Sequence, residues 1–466
     1  EAAVRSPLRA LITSDNLEIS ELSTSVGESG IRDGCVIYAL VQGVQPVRST
    51  GFAFASVRGR GAVVAWGHWQ FGGESKPVQR LLAAGVRSVY STDRAFAAVK
   101  DDGSVVTWGC RECGGNSSAV HDLLTSGVRQ VYSTERAFAA VKSGGRVVTW
   151  GHRSYGGDSA PVQERLAGVE RVASSRYAFV ALTAEGSAVA WGHRDYGGDA
   201  AEVEDLLAWD VRQVCAARQA FAAVTGNGCV ATWGHRGCAV ESMAVQQMLM
   251  GGVERVFSTS HAFAALKANG AVVAWGHPDY GGDCGPARQL LASDVQNIAS
   301  TNQAFAALKA DGSVVTWGHP DKGGSSAAVQ DQLKCVKRVY STPEAFAAVR
   351  RDGSVVTWGE AEFGGDSTAV HSQLASDVQD IHSTGGTFGA AFAAVKSDGS
   401  VVTWGHPEQG GDSSSVKALL TDGVLYVSST HRAFAAVKSD GSVITWGDKG
   451  YGGDSTMVRR QLGAEV

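Results

Sequence analysis

The chain is short of the features that mark membrane, disulfide-bonded and nucleic-acid-binding proteins. No run approaches the ~18–20 uninterrupted apolar residues of a spanning helix, so no membrane insertion is expected. Eight cysteines are scattered through 466 residues and only Cys110 and Cys113 lie close together. That spacing excludes a dense disulfide framework and favours a reducing compartment. With 41 Lys and Arg against 46 Asp and Glu, the net charge of -5 lacks the basic field of a dedicated nucleic-acid binder. Methionine (4) and proline (9) are scarce, whereas glycine reaches 59 and hydrophobic residues 44%. The chain is therefore neither disordered nor a membrane bundle. It opens at Glu1 with neither Met nor a charged-then-apolar leader, as expected of a fragment or processed product, which leaves localisation open.

What is present is repetition. Trp-Gly occurs ten times, with Trp at 66, 108, 150, 191, 233, 275, 317, 358, 404 and 446, so ten of the twelve tryptophans share one register. The gaps are 41 or 42 residues except one of 46. A self-similar period of this length signals a stacked repeat array. Each unit reads as three β-rich runs, as in Val128 to Thr134, Ala137 to Lys142 and Val147 to Gly151. The turn Lys309-Ala310-Asp311-Gly312-Ser313 tolerates positive φ, which pairs the second and third runs antiparallel. The Trp offers a large apolar body whose N–H needs a partner.

A fourth piece, Ser118 to Leu124, places apolar residues at helical spacing. It is too short to hold a helix unaided and must dock on a neighbour. Asp158, Asp199, Asp283, Asp366, Asp412 and Asp454 suit the cap of this turn better than a calcium loop, because regularly spaced Asp within one loop are missing. A three-stranded meander buries both faces only by stacking on its neighbours. The expected fold is an all-β repeat protein: a propeller-like ring of ten short three-stranded blades, each followed by a helical turn. An open β superhelix is the alternative.

The unit Asp-Gly-x-Val-x-x-Trp-Gly, Tyr-Gly-Gly, Val-x-x-Val, Ala-Phe-Ala-Ala-Val resembles the regulator of chromosome condensation repeat over residues 44–466. The resemblance implies a β-propeller, and members that act as exchange factors for a small GTPase or as modules of ubiquitin ligases. This chain departs from it in its shorter repeats, its ten copies and its lack of a long projecting insertion, so no exchange activity is carried over. Residues 1–43 are set apart. Leu17 to Leu22 and Gly30 to Val41 resemble the second half of a ubiquitin-like β-grasp domain.

Histidine follows Trp-Gly at 68, 152, 193, 235, 277, 319 and 406. Equivalent positions in stacked sheets lie ~10 Å apart, too far for one ion, so these residues read as loop hydrogen-bond donors. Cys110-Arg111-Glu112-Cys113 has the spacing of a redox or zinc half-site but lacks a second pair. The cation that ends the second run in eight units is followed two residues later by an acid in five of them, and reads as a solvated hairpin edge. No metal or cofactor is expected, and no catalytic constellation stands out from the repeat.

Strand order puts two variable loops on one edge. The first holds Arg94, Arg136 and Arg176; the second holds Trp69, Arg111, Arg153, Arg194 and Arg236. Acidic counterparts (Asp279, Asp321, Glu362, Glu408) lie in later units. Variable exposed loops on a repeated scaffold are natural recognition sites. The insertion Gly385 to Gly389, with Phe388 as an apolar anchor, lengthens the same edge. The function expected is a non-enzymatic interaction scaffold that binds a protein partner through this rim. The alternative is a guanine-nucleotide exchange factor or a ubiquitin-ligase-associated module.

Overall fold

The computed structural model describes residues 8–13, 18–19, 37–41, 47–238 and 243–463. From Val47 onward the chain forms ten three-stranded antiparallel sheets in sequence order, each with its second strand in the middle. Unit seven shows the plan, with strands Val295–Ser300, Ala304–Lys309 and Val314–Gly318. Units are numbered here from the one holding Trp66 to the one holding Trp446.

The middle strand explains why Ala-Phe-Ala-Ala shows no alternation. Ala304, Phe305, Ala306 and Ala307 are all fully buried, because each sheet is covered on both faces by its neighbours. Phe305 pairs across the strands with Trp317, and the two rings stack with centroids 5.0 Å apart. The Trp317 Nε1 then donates to the carbonyl of Gly281 in the preceding unit at 3.0 Å. Gly281 has φ 88°, and a Cβ there would meet the Phe305 ring at 2.7 Å. The glycine is thus required by its backbone conformation and by the close approach.

The same device closes the array. Phe54 and Trp66 of unit one pack with Tyr426, Ala433 and Leu462 of unit ten in one buried cluster. Arg58 donates to the carbonyls of Gly441 (2.7 Å) and Leu462 (3.1 Å), and Ser49 Oγ donates to Ser429 O at 2.5 Å. First strands touch one another all the way round, so they form the inner wall. The chain is a closed propeller-like ring, not an open superhelix. No sheet is shared between units, so face packing and these hydrogen bonds seal it.

The fourth piece of most units is 3-10 rather than α-helical, as in Gln330–Gln332; short α-helices occur at Glu204–Leu207 and Met243–Met248. A single turn gains from the tighter i→i+3 bond. Each of the six aspartates named above accepts the N–H two residues on, as Asp158 does from Ala160 at 3.0 Å. The cation at the end of the second strand has more to do than face solvent. Lys142, Lys267, Lys309, Lys396 and Lys438 donate to a carbonyl near the end of the preceding unit's helical turn, where the exposed carbonyls favour a cation.

Strands Leu8–Thr13, Glu18–Ile19 and Ile37–Val41 form a separate antiparallel sheet with the first in the middle. Residues 20–36, which carry much of the ubiquitin-like resemblance, lie outside the described residues.

Candidate protein-interaction rim

The first loop of each unit separates strands one and two and carries two variable residues. The first of the two is tied to its neighbours through the backbone. Gly51 donates to Asp93, Asp93 to Glu135, Glu135 to Arg176, Arg176 to Arg218, Arg218 to Ser260, Ser260 to Asn302 and Asn302 to Pro343, and His431 donates to Gly51, at 2.8–3.4 Å. The circle stops at Pro343, which has no N–H to pass on. The insertion of unit nine sits in that break.

The second variable residue reaches between the second loops of its own and the preceding unit. Phe52 lies 4.8 Å from Phe71 and 4.9 Å from Tyr451, and Tyr177 lies 4.9 Å from both Tyr155 and Tyr196. Arg94 caps the Phe71 ring at 4.9 Å and Arg136 the Tyr155 ring at 4.9 Å, distances at which a cation is attracted to the ring face. Farther round, Lys322 pairs with Glu344 at 2.6 Å and Glu360 at 3.1 Å. Burial works against the Lys322 charge, but the bonds from Glu344 and Glu360 outweigh it and raise its pKa. An interdigitated belt therefore underlies most of the rim.

The arginines proposed from sequence divide into two groups. Arg94, Arg136 and Arg176 are half-buried in the belt. Asp93 holds Arg94 at 3.3 Å, and Glu135 holds Arg136 at 3.7 Å as well as Arg176. Trp69, Arg111, Arg153, Arg194 and Arg236 are exposed at the tips of the 3-10 turns of units one to five. Arg153 and Arg194 pair with Asp158 (3.1 Å) and Asp199 (3.0 Å) in well-exposed contacts, which hold the side chains lightly. Asp279, Asp321, Glu362 and Glu408 are exposed on the corresponding turns of units six to nine. Phe388 is 77% exposed. Its loop is anchored beneath, where Gly386 and Gly389 lie against the buried Gln409.

The recurrent histidines serve through their backbone. His319 N–H donates to Gln303, and its carbonyl accepts from Lys322 and Gly324. The Nδ1 atoms of His68, His152, His193, His319 and His406 are buried with no hydrogen-bond partner among the described residues. Aromatic contact takes the place of the side-chain bond expected from sequence: His68 stacks on Phe71 at 4.4 Å and His193 on Tyr196 at 4.2 Å. Burial, then the adjacent Cys110, pushes the Cys113 thiol up to about 12, so it is no thiolate nucleophile at neutral pH.

No family model and no curated protein matches the chain. Among solved structures it is similar to yeast RCC1 (Prp20). In the complex with Kap60, that protein shares 15% identity over 60% of this chain and 82% of its own, with TM-score 0.34. Prp20p from Saccharomyces cerevisiae, in a study of its binding to Gsp1p and histones, shares 16% identity over 68% of this chain and 82% of its own, with TM-score 0.35. The designed protein Ika8 shares 12% identity over 78% and 96%, with TM-score 0.31.

Sequence reasoning missed the belt and the residues that fill it, Phe52, Tyr177 and His261 among them. The signal was present: these positions vary in chemistry but are flanked by a Thr-x-x-Ala frame in most units, with Ser175 in place of Thr at Tyr177. It also passed over unit five, whose second loop reads His235-Arg236-Gly237-Cys238 without the usual Gly-Gly.

Proposed function

We propose that the protein is a non-enzymatic interaction scaffold that binds a protein partner across the upper rim. One observation carries this reading. Arg111, Arg153, Arg194 and Arg236 occupy equivalent exposed positions on four consecutive blades, and Asp279, Asp321, Glu362 and Glu408 occupy the turns of the next four. A rigid ring spaces these charges regularly, with arginines along one arc, where Glu112 and Asp195 partly offset them, and acids along the other. Such a surface selects a partner by complementary charge and fixes its orientation. The partner expected on the arginine arc is an acidic protein surface.

The test is charge reversal of the arc (R111E, R153E, R194E and R236E together) in the full chain, with partners captured from native extract and quantified against the unmodified protein. Loss of a defined set of partners, steeper at low salt and with an unchanged melting temperature, supports the scaffold. An unchanged set overturns it.

A further inference from the structure

Unit five breaks the repeat where it meets unit six. In the nine other units Gly-Gly follows the position of Cys238, and in unit five it is missing. The residue that reaches into this loop from unit six is His261, at the place where other units carry Arg94, Arg136, Gln303 or Glu344. One ligand atom from each of His235, Cys238 and His261 therefore lies within 4.8 Å of the others. Among the described residues this is the one such trio of His, Cys, Asp or Glu. Cys238 forms a buried floor, His261 is half-buried and His235 is exposed, which leaves an entry path on the solvent side.

We propose that His235, Cys238 and His261 bind a zinc-class divalent cation that staples unit five to unit six, with water in the fourth position. Two imidazoles and a thiolate form a borderline-soft donor set that suits zinc. Tetrahedral bonds of ~2.0–2.1 Å to nitrogen and ~2.3 Å to sulfur set ligand atoms ~3.3–3.7 Å apart, so closure needs an inward swing on the order of 1 Å. The Gly237 N–H donates to His235 Nδ1 at 3.2 Å, so a metal that takes the lone pair of that nitrogen displaces this hydrogen bond.

Comparison within the ring sharpens the case. The equivalent positions of units two and three hold Cys110, Cys113 and Arg136. The fixed positive charge of Arg136 acts on Cys113 and would repel a metal ion there. At units five and six the imidazole of His261 stands in place of that cation. The separation of ~10 Å between equivalent histidines does not apply, because His235 and His261 occupy different loops.

The test uses the full chain, stripped of metal with a chelator and titrated with cobalt(II), then zinc. One equivalent of cobalt is expected to give a tetrahedral d–d spectrum with a thiolate charge-transfer band that zinc bleaches. Burial pushes the Cys238 thiol up to about 11, so each zinc bound at pH 7 should release a proton from it. His261→Gln, a residue the belt already accepts at Gln219 and Gln303, should weaken binding at least ~10-fold while the metal-free melting temperature stays unchanged. Cys110→Ser should leave binding intact. Absence of binding at micromolar metal, undiminished binding by His261→Gln, or loss of the spectrum in Cys110→Ser would each overturn the proposal.

Discussion

The Trp66 Nε1 donates to the carbonyl of Gly452 at 3.2 Å, a bond between residues 386 positions apart. The same bond joins Trp108 to Gly72, and Trp446 to Gly410, at 3.0 Å within the array. The seam between units ten and one is therefore built like the internal boundaries. Hydrogen exchange followed by mass spectrometry should show amides of the middle strands of units one and ten protected as well as those of units six and seven; earlier opening of units one and ten would mean that the seam is weaker than the rest.

The aromatic layer should dominate stability. Trp317 and Phe305 are buried and stacked on each other, so Trp317→Ala or Phe305→Ala should cost ~3–5 kcal/mol. His319→Ala should cost about 0.5–1.5 kcal/mol at most, the worth of one hydrogen bond, because the residue works through backbone groups that alanine keeps. Denaturant titration of the three variants checks the order. Equal losses would show that the loop ring carries as much as the core.

The Gly-Gly turn gives a finer test. Gly323 has φ 96°, and a Cβ there would lie 2.5 Å from the Phe346 ring. Gly323→Ala should combine ~1–2 kcal/mol for the left-handed backbone with ~1–3 kcal/mol for overpacking. Gly59 has φ 50° but open space around it, so Gly59→Ala should show the backbone cost alone. A melting-temperature drop as large for Gly59→Ala as for Gly323→Ala would remove contact with Phe346 from the explanation.

The period, the three strands and the Asp-Gly hairpin were legible because each is encoded within one unit. The belt was not, because its contacts join one unit's first loop to the second loops of its own and the previous unit. Asp93-Arg94 and Glu135-Arg136 stood side by side in the sequence, yet only the interleaving shows that Arg94 and Arg136 also lie over Phe71 and Tyr155. The histidine-rich trio escaped for the same reason: His261 and Cys238 lie in different loops of different units. Ring closure was open as well, since no strand signal links Val47 to Tyr426. Their bond, Val47 N–H to the Tyr426 hydroxyl at 2.9 Å, exists only once the ring is formed.

Acid should loosen the seam. His431 lies against Asp93 at 3.3 Å across Gly51. Burial lowers its pKa, Asp93 opposes that shift, and Arg432, Arg94 and Arg176 add to it. A base whose folded pKa is lowered binds fewer protons in the folded state than in the unfolded. Its contribution is present above the ordinary histidine value of ~6.5 and is lost as pH falls from there through the folded pKa. The side chain is 43% exposed, so the effect is small. The melting temperature should fall between pH 7 and 5.5, and less steeply in His431→Gln. An identical slope in the variant would assign the pH dependence to other groups.

The insertion of unit nine is the part of the rim freest to meet a partner. Every other first loop is joined by a backbone bond to a neighbouring first loop, whereas Pro343 ends that circle and the loop Gly385 to Gly389 stands in the gap. Thr384 still donates to Ala391 and Ala390 to Glu362, so the loop is fixed at both ends. Phe388 projects between these anchors with 77% of its surface exposed, an apolar side chain of the kind that carries binding energy when a partner buries it. It also stands between the acidic turns of units eight and nine. Replacing Gly385 to Gly389 with the two-residue loop of a neighbouring unit should leave the melting temperature nearly unchanged, because loop length costs little. Phe388→Ala should weaken capture of the partner by at least ~5-fold, the effect of losing about 1 kcal/mol at an interface. Unchanged capture in both variants, with unchanged stability, would exclude this loop as a contact and leave recognition to the charged arcs alone.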